Sequence, residues 1–180
     1  MSVFVLDRSG TPLMPCSEKR AKLLLARRRA RVHRLAPFAI RLVDRHAASS
    51  TFQHLQIKLD PGSKTTGVAL VRINDQVSAA SGEVQREAAV LNLFELLHRG
   101  RQISEALTQR AAFRRRRRSA NLRYRAPRFD NRRKTEGRLA PSLQHRIDTT
   151  CAWVARLRRL APVTGITQEL VRFDMQQMDN

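Results

Sequence analysis

Five arginines in a row, Arg114 to Arg118, constrain this chain more than any other stretch. No hydrophobic core accepts consecutive guanidiniums, because a buried charge without a partner is strongly destabilising. Wound into a helix, they cover every side of it, and like charges three or four residues apart oppose helix formation. The tract belongs to a longer run, Arg110 to Lys134, in which 12 of 25 residues are basic and only Asp130 is acidic. Ile103, Leu107 and Phe113 lead into it at helix-compatible spacing. The expectation is a helix that forms, or stays straight, when phosphates lie around it. A targeting tract or basic arm is the plainer reading, and the apolar lead-in argues against it.

The rest of the charge points the same way. The 180 residues carry 35 Lys and Arg against 15 acids, a net charge of +20. Such a balance opposes compaction unless a polyanion supplies counter-charge, and arginine grips phosphate through paired hydrogen bonds. Nucleic acid is therefore the expected partner. A membrane is not, because no long apolar segment accompanies the charge. One Trp and one Tyr leave little for base stacking, so arginine must do most of the binding. Cys16 and Cys151 have no metal-type spacing and read as free thiols. With no secretory pattern at the N-terminus, the expected location is cytoplasmic.

Hydrophobic residues reach 42%, enough for a core, and their spacing predicts where it lies. SVFVLD (2–7) reads as a strand, Ser9-Gly10 as a turn and PLMP (12–15) as extended chain. Ser17 reads as the cap of a helix, KRAKLLLARRRA. From Lys19 to Arg34 there are eight basic residues and no acid, a second basic face. PFAIRLVDR (37–45) reads as a strand with Phe38, Ile40 and Leu42 on one side. Small polar residues at 46–53 suggest a module boundary. Leu55, Ile57 and Leu59 then alternate, Gly62 permits a tight turn, and Val68 to Ile73 forms a second strand. Asn74-Asp75 suggests the next turn and QVSAASGEVQRE a third strand. From about Ala88 to Tyr124 the pattern reads as helical, broken or kinked at Gly100. Residues 125–142 read as an irregular basic loop. Ser142 could cap a further helix with Leu143, Ile147, Cys151, Val154 and Leu157 at helical spacing, and 163–170 reads as a late strand.

Two acids stand apart from this basic background. Asp60 closes an apolar strand in IKLDPGSKTTGVAL (57–70), and Glu169 closes the late strand. Taken singly, Asp60 is a turn former before Pro61-Gly62 and Glu169 an exposed strand-end acid. As a pair they gain meaning. Two-metal nucleases need carboxylates that converge from different strands on ions about 3.5–4 Å apart, and such hard oxygen sites suit Mg2+ or Mn2+. The histidines (33, 46, 54, 98 and 145) show no cluster and read as surface or phosphate-contacting side chains. No phosphate loop, nucleophile elbow or metalloprotease motif is present.

PLMP at 12–15, IKLDPGSKTTGVAL at 57–70, FRRRRR at 113–118 followed by NLRYRAPRFDNR, and QELVRFDMQQMDN at 168–180 occur in that order. Together they resemble the IscB family of transposon-associated, RNA-guided DNA endonucleases, over essentially the whole chain. The resemblance implies an α/β chain: a small β-rich N-terminal module over 1–50, then an incomplete RNase H-like (RuvC) domain with an inserted arginine-rich bridge helix. It assigns a first RuvC segment to 54–88, a helical region with the bridge helix to 89–134, and a linker, helix and second RuvC segment to 135–180. Asp60 and Glu169 match the first two catalytic, metal-holding carboxylates. Arg114, Arg115, Arg116, Arg117 and Arg118 match the bridge helix. Arg110, Arg123, Arg125, Arg128, Arg132 and Arg133 complete the expected nucleic-acid-binding set. Guide RNA and target DNA are the implied partners, with base pairing reading sequence and protein reading backbone shape. Family members continue into an HNH module and a third RuvC motif that these 180 residues do not include. The expectation is therefore RNA binding without efficient cleavage alone, and possible completion by a C-terminal polypeptide. A non-catalytic arginine-rich RNA-binding protein, or one of ribosomal type, is the alternative.

Overall fold

The computed structural model describes residues 2–77, 84–119 and 136–170. The strand-forming stretches assemble into two four-stranded sheets. The first holds β1 (Ser2–Leu6), β2 (Pro12–Ser17), β3 (Ala30–Arg34) and β4 (Ala39–Leu42), in the order β2-β1-β4-β3. β1 runs antiparallel to β2 and parallel to β4. It is buried on both faces: Val3 and Val5 join one apolar cluster and Phe4 another.

Ser17 does cap a helix, α1 (Glu18–Ala26), its hydroxyl accepting from the Arg20 amide at 3.4 Å. The helix is shorter than its composition suggests. After Ala26 the amides of Arg28 and Arg29 donate back to Leu25 and Leu24, each at 3.0 Å. Arg28 takes φ 57°, the left-handed conformation that ends many helices and usually falls to glycine. The chain reverses there and enters β3. Lys19–Arg34 is thus a helix followed by a strand, not one continuous basic helix.

Asp7, just beyond β1, fastens this layer. Its buried carboxylate accepts from the amides of Ser9 and Thr11 at 2.8 Å, from the Ser9 hydroxyl at 2.7 Å and from the Ala47 amide at 3.0 Å. Burial alone would raise its pKa. The bonds from the Ser9 hydroxyl and from the Ala47, Thr11 and Ser9 amides outweigh that and hold it at about 2. The bond to Ala47 ties the first turn to a short 3₁₀ turn, Ala47–Ser49, 40 residues on.

The second sheet holds β5 (His54–Pro61), β6 (Thr65–Val77), β7 (Val84–Leu97) and β8 (Gly165–Gln168), in the order β7-β6-β5-β8. β5, β6 and β7 form an antiparallel meander, and β8 returns parallel to β5 on its other side. Two expectations fail here. β6 does not turn at Asn74-Asp75; it runs on to Val77, with Asn74 opposite Glu87 and Asp75 opposite Arg86. β7 then occupies 84–97, so the stretch from Ala88 to Leu97 is strand, not helix. Its residues alternate: Asn92 and Leu96 are buried, Leu93 and Leu97 exposed. The long ladder with β6 outweighs the helical look of LNLFELL, as tertiary pairing commonly does.

Helix α2 (Gly100–Ser119) begins at Gly100, which starts the helix and does not break it. Helix α3 (Pro141–Arg158) places Pro141 in its first turn after Ala140, so Ser142 lies inside the helix and is not its cap. The apolar stripe of α3 is buried only toward its C-terminal end. Leu157 is enclosed, whereas Leu143, Ile147 and Cys151 remain exposed.

The main core lies between this sheet and α3. Leu55, Ile57, Leu59, Val68 and Leu70 meet Leu157, Leu160 and Ala161. Phe4 and Ala39 of the first sheet enter the same cluster. The Phe4 and Phe94 rings stack at 6.4 Å, Phe94 meets Trp153 at 6.2 Å, and the Asn92 amide donates to the Ser2 carbonyl at 2.8 Å. Each large side chain enclosed this way contributes about 1.5–3 kcal/mol. The N-terminal layer therefore has a core of its own and joins that of the second sheet through Phe4 and Ala39. Among the described residues no helix is long and apolar enough to cross a membrane.

Candidate metal and nucleic-acid site

β5 and β8 carry the two singled-out acids toward one end of the sheet. Their parallel register pairs Gln56 with Gly165, Ile57 with Ile166, Lys58 with Thr167 and Leu59 with Gln168. One residue further along both strands come Asp60 and Glu169. The Glu169 amide donates to the Leu59 carbonyl at 2.9 Å, so the ladder reaches the second acid. Adjacent strands lie about 4.8 Å apart, and paired positions share a face. Both acids are exposed. Asp60 occupies the face opposite the buried row of Leu55, Ile57 and Leu59, with Lys58 two residues before it on the same side, and Glu169 follows directly on β8.

The ground beside Asp60 is kept open by glycine. Gly67 pairs with Asp60 across β5 and β6, and a methyl group there would sit 3.5 Å from the Asp60 Cβ and 3.8 Å from Oδ2. Gly62 is needed for a different reason: a Cβ on it would fall 2.5 Å from the Thr65 carbonyl oxygen, inside backbone contact distance. The tight turn after Asp60 thus closes only over glycine.

That turn is held from two further elements. The Arg146 guanidinium of α3 donates to the Gly62 carbonyl at 3.3 Å. The His98 amide, at the end of β7, donates to the Lys64 carbonyl at 2.9 Å. The His98 ring meets the buried Thr66 hydroxyl through Nε2 at 2.7 Å, and its Nδ1 is buried without a partner among the described residues. Burial, then the charges of Arg146 and His145, push the His98 pKa below its usual value. His98 is half-buried and lies within electrostatic reach of His145 and Arg146. Sequence reading missed this trio because its members come from two segments 47 or more residues apart, and no local spacing connects them.

The donor chemistry at the sheet end is two hard carboxylates, which fits a magnesium-type ion better than a soft metal. Among the described residues no group of three or more His, Cys, Asp and Glu side chains gathers at one point. Asp60 and Glu169 would therefore leave most coordination positions of such an ion to water, phosphate and other ligands.

The arginine tract is helical where described. Arg110 and Arg114 to Arg117 are exposed on α2, and Arg118 lies within the same helix. Phe113 is 60% exposed among them. The helix is anchored near its start, where Gly100 approaches Ser142 of α3 and Ile103 is half-buried. Beyond that point it projects with little apolar packing. Arg123, Arg125, Arg128, Arg132 and Arg133 lie outside the described residues.

No curated protein is similar enough to the chain to be matched with it. A family model described as RRXRR protein matches residues 3–180, and the tract Arg114–Arg118 fits the spelling of that name. The chain is a member of the RRXRR protein family.

Proposed function

We propose that the chain is the guide-binding part of an RNA-guided, metal-dependent DNA endonuclease of the IscB type, with an RNase H-like second sheet. The observation that carries this reading is the β5–β8 register, which gives Asp60 and Glu169 neighbouring positions at one sheet end. In that role the two carboxylates hold Mg2+ or Mn2+, which when bound would neutralise charge developing on the scissile phosphate. The chain's own residues prepare the place. Gly67 leaves room for a phosphate beside Asp60, while Arg146 and His98 fix the turn that follows it. Helix α2 acts as the bridge helix and lines its arginines against guide RNA and the guide–target duplex.

Cleavage would need metal ligands besides Asp60 and Glu169, since among the described residues no third His, Cys, Asp or Glu joins them. The test is DNA cutting by the chain with a candidate C-terminal half, guide RNA and Mg2+, comparing Asp60→Ala and Glu169→Ala with the unaltered chain. Each substitution is expected to lower cutting by at least a hundredfold while RNA affinity stays within twofold. Cutting that survives Asp60→Ala removes the endonuclease assignment. RNA binding with no cutting under any complementation favours a non-catalytic arginine-rich RNA-binding protein.

A further inference from the structure

The N-terminal layer contains a cavity that the endonuclease reading does not use. It lies between β1, β2, α1 and the segment after β4, with a volume of about 470 Å3. Its floor is aliphatic: Val5, Leu13, Leu24 and Leu42. Its mouth carries three guanidinium groups, Arg20, Arg29 and Arg45, and one acid, Asp44. Arg29 Nε is committed to Asp44 Oδ2 at 2.6 Å. Among the described residues the Arg45 guanidinium reaches only the Ser49 carbonyl, at 3.4 Å. Arg20 is exposed, and its guanidinium has no hydrogen-bond or ion-pair partner among the described residues. Two cationic groups therefore face a cavity whose single acid is already neutralised.

The combination is selective. A bare inorganic anion would use the guanidiniums and leave the aliphatic floor wet. An apolar ligand would fill the floor and strand the guanidiniums. A nucleotide meets both, with a flat base face on the aliphatic side chains and a phosphate at the rim. The free oxygen of Asp44 can accept from an exocyclic amine at the base edge. The volume lies within the range of small-ligand sites. The basic rim also continues: an adjoining groove along α1 shares Arg20 and Arg29 and adds Lys19, Lys22 and Arg27. A phosphate backbone leaving the cavity would have cations to follow.

We infer that this cavity takes a single splayed-out RNA nucleotide, base inward against Val5, Leu13 and Leu42, phosphate held by Arg20 and Arg45. The inference rests on the RNA-binding part of the proposed function and is independent of its metal site. It gives the N-terminal layer a direct hold on the RNA, apart from α2.

Cys16 lines the same cavity and is half-buried, whereas Cys151 is exposed on α3. The rate of N-ethylmaleimide labelling of each thiol, read by peptide mass spectrometry on the full chain at pH 8.5, reports occupancy with an internal control. Saturating nucleoside 5′-monophosphate, or a single-stranded RNA 12-mer, is expected to slow Cys16 labelling at least tenfold and leave Cys151 unchanged. The exposed double variant Arg20→Gln/Arg45→Gln should lose that protection. Arg114–Arg117→Gln should keep mononucleotide protection while binding the 12-mer more weakly. No protection by either nucleotide or RNA overturns the inference, as does equal protection by inorganic phosphate or by an oligoglutamate peptide. Mononucleotide protection with no RNA binding would sink both the proposed function and the RNA assignment of the cavity. RNA binding without Cys16 protection would sink the cavity assignment alone.

Discussion

The two basic helices of this chain are built on opposite terms. α1 is short and finished at both ends: Ser17 caps its start, the Arg28 turn closes it, and Ala21 is buried at 1% exposure against the first sheet. α2 is 20 residues long and, beyond its first turns, carries its arginines on every exposed side. In α1 the packed face determines the helix and the charges ride on its outer side. In α2 residues 104–117 are exposed, and neighbouring guanidiniums repel one another at three- and four-residue spacing. Arginine richness therefore says little about what holds a segment in place; the apolar residues between the arginines decide it.

The largest test of that contrast is a charge placed on each helix. Ala21→Glu should cost roughly 3–5 kcal/mol in urea unfolding, because it buries an unpaired carboxylate in a packed site. Ala111→Glu on exposed α2 should change stability by no more than about 0.5 kcal/mol. Equal effects would mean that α1 is no better anchored than α2.

Next comes the fastening of the α1 layer at Asp7. Asp7→Ala strands the Ser9, Thr11 and Ala47 amides and should cost roughly 2–3 kcal/mol. The pH dependence has a definite sign. The folded-state pKa, about 2, is below the usual carboxylate value, so the stabilisation is complete above about pH 4 and is lost as pH falls toward 2. Thermal unfolding followed between pH 5 and 2 should steepen in that window for the unaltered chain and flatten in Asp7→Asn. An identical profile in both would remove Asp7 from the account.

A smaller effect should appear in α2. Arg114–Arg117→Gln removes like-charge pairs at three- and four-residue spacing, each costing about 0.2–0.5 kcal/mol, so helicity by circular dichroism should rise at low salt without RNA. The same variant should bind single-stranded RNA more weakly, and the log–log salt slope should fall by about 0.7 for each phosphate no longer neutralised. An unchanged slope would mean these arginines face away from the RNA.

The smallest change sharpens the α1 side. Arg28→Gly should stabilise the chain by about 1 kcal/mol, since glycine takes φ 57° without the steric cost an arginine bears. Destabilisation instead would show that the Arg28 side chain contributes packing that exceeds that backbone cost.

Much of the candidate site could be read in advance because it rests on local chemistry. Asp60 closing an alternating strand, Gly62 in a turn that admits no Cβ, and a late strand ending at Glu169 are patterns of neighbours in sequence. Their adjacency could not be derived that way. It arises because α3 carries the chain back across the sheet and lays β8 parallel to β5, a pairing more than 100 residues apart. His98 and Arg146 were invisible for the same reason: each acts on the turn after Asp60 from a distant element.

By itself the sequence determined the charge balance, the α1 cap at Ser17, the strand alternation of 55–59 and the arginine helix, since periodicity, capping and net charge act between near neighbours. Only the tertiary structure decided that 88–97 is strand, that α1 ends at Ala26, and that Phe4 and Ala39 of the first sheet join the core of the second. Each of those outcomes depends on which distant surface an apolar face meets, and burial, unlike local spacing, is settled only when the whole chain has folded.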